Sequence, residues 1–168
     1  MPVKELNLRS AFTTTSNTIK KRLINNSKVW VDGRECVALS LWDTGATNSC
    51  ISTNVVRNLA LDSIGQINVQ TPTGEETVDL YLVNITLPNN IIIENTSVCG
   101  SKIADQGIDL LIGMDIISRG DFVVTNRDGK TSFSFCTPSV HTIDFAKEIT
   151  AQNVVGKPHG KGHRRRRR

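Results

Sequence analysis

The chain has 168 residues, 38% hydrophobic, 21% charged and only 5% aromatic, which fits one aliphatic-cored globular domain with short appendages. The net charge of +4 is uneven: residues 157–168 hold Lys157, Lys161 and the arginines at 164–168 with no acid, so the rest of the chain is mildly acidic and the sum does not mark its body as a nucleic-acid protein. No apolar run approaches the roughly 20 residues that span a bilayer, and Cys36, Cys50, Cys99 and Cys136 form no CxxC pair and have no histidine at ligand spacing, which argues against zinc or any other metal.

Residues 1–20 are polar, with few apolar anchors. They are expected to be a flexible arm or a poorly paired first strand, with order beginning near Ile24. The N-terminus lacks the apolar core of a signal peptide, so the cysteines are expected as free thiols in a reducing cytoplasm.

Residues 27–31 and 35–42 are predicted strands joined at Asp32-Gly33. In the second, Val37, Leu39 and Leu41 alternate with Cys36, Ala38 and Ser40. Asp43 follows at the strand's end. A short helix is predicted over 53–59, with Ser52 or Thr53 as its N-cap. Residues 66–69 and 76–87 form a predicted hairpin around Thr71-Pro72-Thr73-Gly74. Within its second arm Val78, Leu80 and Leu82 share one phase, while Val83, Ile85 and Leu87 have the other. That switch predicts a bulge or bend near Leu82.

Further strands are predicted at 91–98, 109–112, 122–125 and 131–136, with a short helix at 114–119 stopped by Gly120. Apolar spacing turns helical from Ile143 to Val155, closed by Gly156. The expected fold is all-β: a small closed, mostly antiparallel barrel with short helices, a C-terminal helix and a basic tail. The expected divisions are an arm at 1–22, the main domain at 23–139, the helix at 140–156 and a disordered basic tail at 157–168.

The chemistry points to Asp43-Thr44-Gly45-Ala46. An apolar strand delivers a carboxylate to its end, Thr44 adds a hydroxyl, and Gly45 permits a sharp turn and close backbone approach. Taken alone, the tetrapeptide reads first as a simple turn. A single carboxylate is a poor catalyst of amide hydrolysis, whereas two sharing one proton activate water and polarise a carbonyl together. The triplet Asp-Thr-Gly occurs once, so a second carboxylate has to come from another copy across a twofold axis.

In context the segment 41–52, Leu-Trp-Asp-Thr-Gly-Ala-Thr-Asn-Ser-Cys-Ile-Ser, resembles the active-site segment of the retropepsin-like aspartic proteases, closest to retrotransposon and bacterial members. Residues 110–117, Leu-Leu-Ile-Gly-Met-Asp-Ile-Ile, resemble that family's second signature, and the hairpin at 71–76 falls where the family keeps its flap. The resemblance spans roughly residues 23–139. It implies a retropepsin-type barrel working as a homodimer, without cofactor or metal, on extended polypeptides. Asp43 would be the catalytic carboxylate, Thr44 a cross-dimer hydrogen-bonding hydroxyl, and Gly45 and Ala46 contacts to substrate. Thr71, Thr73 and Gly74 would close over the peptide, while Gly113 and Asp115 would support the catalytic loop.

The chain departs from the retroviral form at Thr47 and Met114, where that form carries an ion-paired aspartate and arginine. Glu75 and Glu76 near the hairpin tip are expected to disfavour acidic substrates. Trp42 is either a pocket wall or a packed residue. Cys50 has no nearby histidine and is expected to be a small buried hydrophobe. The arginine-rich tail is a potential weak tether to nucleic acid or an acidic partner. Two functional classes therefore stand: a homodimeric endopeptidase, and a non-catalytic dimeric peptide-binding module.

Overall fold

Strand-forming alternation governs most of the chain. The computed structural model describes residues 9–71 and 74–155. Its strands are β1 (Ser10–Ser16), β2 (Leu23–Val31), β3 (Arg34–Trp42), β4 (Cys50–Ser52), β5 (Gly65–Thr71), β6 (Gly74–Leu87), β7 (Ile91–Ser101), β8 (Leu110–Ile112), β9 (Asp121–Thr125) and β10 (Thr131–Thr137). The helices are α1 (Thr53–Asn58), α2 (Met114–Ile117) and α3 (Phe145–Val155).

Six strands close a barrel in the order β2-β3-β8-β4-β7-β6, and β6 returns to pair with β2. Closure removes the sheet edges that an open sheet would leave unpaired. Val29, Ala38, Ile51, Val83, Ile85, Val98, Leu110 and Ile112 fill the interior and are essentially inaccessible to solvent. Each large aliphatic among them contributes about 1.5–3 kcal/mol on burial.

Local chemistry sets the joints. The β2–β3 turn places Asp32 and Gly33 at φ of 48° and 78°, the left-handed pair that a two-residue hairpin with the right twist requires. Ser52 caps α1, its hydroxyl accepting from the Val55 N–H at 3.3 Å. The irregularity expected near Leu82 lies between Val83 and Ile85, and its extra residue is in β7, where Glu94 and Asn95 stand opposite Asn84 alone. There the Asn84 side chain accepts the Asn95 N–H at 2.9 Å. β6 itself alternates without a break through this point: Tyr81, Val83, Ile85 and Leu87 are buried while Leu82 is exposed.

A second sheet, β1-β10-β9, packs beside the barrel. The first strand differs from the expected arm or poorly paired strand. All seven residues of β1 pair with β10 in unbroken antiparallel register, and Phe12 is buried. Thr13 and Thr15 hydroxyls hydrogen-bond those of Ser134 and Ser132, each at 3.0 Å. Phe12, Trp42, Phe122, Phe133 and Phe135 form one aromatic cluster joining this sheet to the barrel. Trp42 stacks on Phe122 with centroids 5.1 Å apart and 7° between planes.

After β10, Asp121 gathers the chain back onto β9. Its carboxylate accepts from the Ser139 hydroxyl, the Val140 and His141 N–H groups at 2.8 and 2.9 Å, and the His141 ring at 3.0 Å. These bonds, Ser139 first, hold its carboxyl below the usual carboxylate range. In α3, Phe145 and Ile149 are exposed. The basic tail, and Pro72 and Thr73 at the hairpin tip, lie outside the described residues.

Candidate active site

β3 runs parallel to β8, with Trp42 opposite Ile112. Asp43 leaves the end of that pair, and its N–H still donates to the Ile112 carbonyl at 2.9 Å. The chain then turns. The Asp43 carboxylate accepts the Gly45 N–H at 2.8 Å, and its carbonyl accepts the Ala46 N–H at 3.2 Å. Asp43 is thus half-buried, at the start of a tight turn, with one carboxylate oxygen held by its own backbone. A Cβ at position 45 would stand 3.2 Å from that oxygen, so the glycine keeps the turn close to the carboxylate.

The loop after Asp43 is clamped from α2. The Met114 and Asp115 N–H groups donate to the carbonyls of Ala46 and Thr47 at 2.8 and 3.1 Å. One buried hydroxyl ties the clamp together: Ser49 Oγ donates to Asp115 Oδ1 at 2.7 Å and accepts the Gly113 N–H at 3.0 Å. Asp115 also accepts the Ile116 N–H at 3.0 Å, where a carboxylate in the first helical turn is favoured by the exposed N–H groups. A Cβ on Gly113 would lie 2.8 Å from the Asn48 carbonyl carbon and oxygen and 3.0 Å from the Ala46 oxygen. These are backbone atoms that the clamp itself fixes, so only glycine fits.

A cleft of about 390 Å³ opens against this loop. Gly45, Ala46, Thr47, Asn48 and Cys50 form one side, and Asn68, Val69, Gln70, Glu76 and Val78 of the β5–β6 hairpin face them, with Cys99, Gly100 and Ser101 of β7 completing the wall. Asp43 and Thr44 precede this lining and are not part of it. Ala46 lines the cleft. Gly74 opens β6 at φ +127° opposite Thr71. The Thr71 side chain and Thr73 lie outside what is described.

Trp42 is settled as a packed residue: it is buried in the aromatic cluster and donates from Nε1 to Asn25 Oδ1 at 2.7 Å. Cys50 is a half-buried free thiol that faces the cleft. Sequence reasoning missed Asn68, Gln70, Cys99 and Ser101. Each faces the cleft through strand register, and the only signal for that was the alternation phase of β5 and β7.

Among the described residues Asp43 contacts no second carboxylate; it bonds to its own turn and to Ile112. No group of three or more metal-ligating side chains occurs among the described residues, and no described helix is long and apolar enough to cross a membrane.

A family model described as aspartyl protease matches residues 27–116, more than half of the chain. Solved structures with similar chains include a retropepsin-like aspartic protease from Rickettsia conorii, at 11% identity, TM-score 0.49, covering 77% of this chain and 96% of that one. The EIAV protease in complex with the inhibitor HBY-793 is similar at 18% identity and TM-score 0.47, covering 61% and 90%. The simian foamy virus protease is similar at 18% identity and TM-score 0.40, covering 55% and 89%. A search of curated proteins returns no match.

Proposed function

The chain belongs to the aspartyl protease family, and from that premise we propose that it is a homodimeric endopeptidase in which two Asp43 carboxylates, one from each copy, activate a water against a peptide bond. The observation that carries this reading is the clamped turn: a half-buried carboxylate at the end of β3, its loop held by α2, with no second acid against it among the described residues. A twofold axis beside the turn completes the pair.

In such a pair one member is protonated and the other charged, because two like charges at contact distance do not both ionise. The charged member takes a proton from water as the oxygen attacks the scissile carbonyl. The protonated member donates to the carbonyl oxygen. On collapse of the tetrahedral intermediate the proton taken from water passes to the leaving nitrogen, and the carbonyl oxygen returns its proton to the carboxylate that donated it, so the pair ends as it began. Thr44 is assigned to hold the two turns together through its hydroxyl, and Gly45 to offer backbone to the substrate.

The substrate is an extended polypeptide. The cleft lies between a loop and a two-stranded hairpin, and a peptide added as a strand satisfies backbone groups along both. The β5–β6 hairpin serves as the flap, with Thr71, Thr73 and Gly74 at its tip; closure excludes water from the reacting bond. Glu76 faces the cleft and disfavours acidic side chains nearby.

The test is cleavage of a diverse peptide library by wild type and Asp43→Asn, read by mass spectrometry from mildly acidic to neutral pH. Wild type alone should cleave, with a rate that falls as pH rises and the shared proton is lost. Asp43→Asn should lose about 10³-fold or more, in the range of removing an acid–base group. Equal cleavage by both proteins contradicts the reading. Peptide binding without cleavage by a wild-type dimer favours the binding-module alternative.

A further inference from the structure

The cleft wall carries a pair of cysteines that peptide hydrolysis does not use. Cys50 in β4 and Cys99 in β7 are direct register partners in a parallel strand pair. Paired residues in register send their side chains to the same face of a sheet. Here that face is the cleft, which both residues line beside Gly45, Ala46 and Val78. Both are free thiols.

The separation suits a bond. Neighbouring strands lie about 4.8 Å apart, inside the roughly 4.4–6.8 Å that a disulfide spans between Cα atoms. The Cys50 thiol donates to the Asn48 carbonyl at 3.7 Å. The neighbouring Cys99 thiol, with burial, pushes the Cys50 thiol up, while the Cys50 thiol beside it draws Cys99 down. The pair therefore ionises first at Cys99, with the Cys50 sulfur next to it. The other two cysteines have no such partner: Cys36 lies opposite Val29, and Cys136 opposite Ala11 and Asp121.

We propose that Cys50 and Cys99 form a reversible disulfide across the cleft wall and that it acts as an oxidative off-switch of the site. Hydrogen peroxide, small enough to enter the cleft, is the oxidant. The Cys99 thiolate attacks one peroxide oxygen, breaking the O–O bond and leaving a sulfenic acid and hydroxide. The Cys50 sulfur then attacks Cys99, the S–S bond forms, and the sulfenic oxygen leaves as hydroxide. The two thiol protons convert both hydroxides to water. Each sulfur loses one electron and the peroxide gains two. A bond between adjacent strands has to draw its side chains inward from the strand spacing, which keeps it accessible to reductants.

The link reaches the catalytic turn through one residue. The Cys99 N–H donates to the Ser49 carbonyl at 2.9 Å, and the Ser49 hydroxyl is the tie between Gly113 and Asp115. Drawing Cys50 toward Cys99 moves Ser49, and with it the clamp on residues 46 and 47. A displacement of that kind costs rate without unfolding the barrel. The effect on cleavage rests on the protease reading; the disulfide itself does not.

The experiment treats reduced full-length protein with hydrogen peroxide, blocks remaining thiols with iodoacetamide and maps the linked peptides by mass spectrometry. A Cys50–Cys99 peptide should appear in wild type and in the Cys36→Ser/Cys136→Ser protein, and should be absent from Cys50→Ser. Cleavage by wild type should fall about tenfold or more on oxidation and return with dithiothreitol. Cys50→Ser, whatever its basal rate, should keep that rate through peroxide. Oxidation that yields no Cys50–Cys99 link overturns the proposal, and so does a link that leaves cleavage unchanged. If neither reduced nor oxidised protein cleaves any peptide, the linked peptide still decides the disulfide and the failure belongs to the protease reading.

Discussion

The two walls of the cleft are built on opposite principles. On one side the turn after Asp43 is fixed by ties to residues outside its own segment: Asp43 to Ile112, Ala46 and Thr47 to the two N–H groups of α2, and Ser49 to Gly113, Asp115 and Cys99. On the other, the first four residues of β6 are exposed and pair only with β5. The inward face of the same strand is buried from Tyr81 onward, where it enters the barrel. One strand thus supplies a fixed root and a projecting arm. The lesson is that rigidity is spent where geometry at the carboxylate matters, and withheld where a chain has to enter and leave.

That contrast is open to direct attack. The largest effect is expected at the clamp. Gly113→Ala forces a Cβ into the Asn48 and Ala46 backbone. It should destabilise the fold by about 1–3 kcal/mol, as overpacking does, and lower kcat/KM by roughly 100-fold; thermal melting and peptide cleavage measure the two. Unchanged rate with Gly113→Ala breaks the claim that the clamp sets the turn.

Ser49→Ala is next. It leaves the Gly113 N–H and the Asp115 carboxylate without their shared partner, at a cost of about 1–3 kcal/mol. Urea unfolding reads that cost, and the loss in kcat should exceed any change in KM.

The smallest effect is expected on the arm. Glu76→Gln should leave stability within about 0.5 kcal/mol, as for an exposed position. It should raise kcat/KM severalfold only for peptides with an acidic side chain near the scissile bond, consistent with about 1 kcal/mol of relieved repulsion. A uniform change across all peptides sharpens the picture differently: it assigns Glu76 to hairpin motion instead of selectivity.

Much of this architecture was legible in the residues. Alternation in β3 is a local signal and became structure with its small face turned inward, Ala38, Ser40 and Trp42 being buried while Val37 is exposed. The irregularity expected near Leu82 appears as a register shift at Val83 and Ile85 whose extra residue belongs to β7. The capping serine at 52 was equally local. β1 was not legible. Its seven residues offer only Ala11 and Phe12 as apolar contacts, and its stability comes from β10, more than 110 residues away, and from a ladder of hydroxyl pairs. Trp42 was ambiguous for a related reason: its partners Phe12, Phe122, Phe133 and Phe135 come from that distant sheet.

At the site, the relation of Asp43 to Gly113 and Asp115 was carried by two short motifs. The facing wall was not. Asn68, Gln70, Cys99 and Ser101 share the cleft only because β4, β7, β6 and β5 lie side by side in a particular register, and no stretch of sequence contains that information.

The central claim is that each chain supplies half of the catalytic pair, and subunit mixing tests it most directly. Wild type is unfolded and refolded with a tenfold excess of Asp43→Asn, and peptide cleavage is measured per wild-type chain. Random pairing leaves few wild-type dimers, so the account predicts that activity per wild-type chain falls about tenfold. Activity that stays constant through the dilution would show that one chain works alone, and would contradict it.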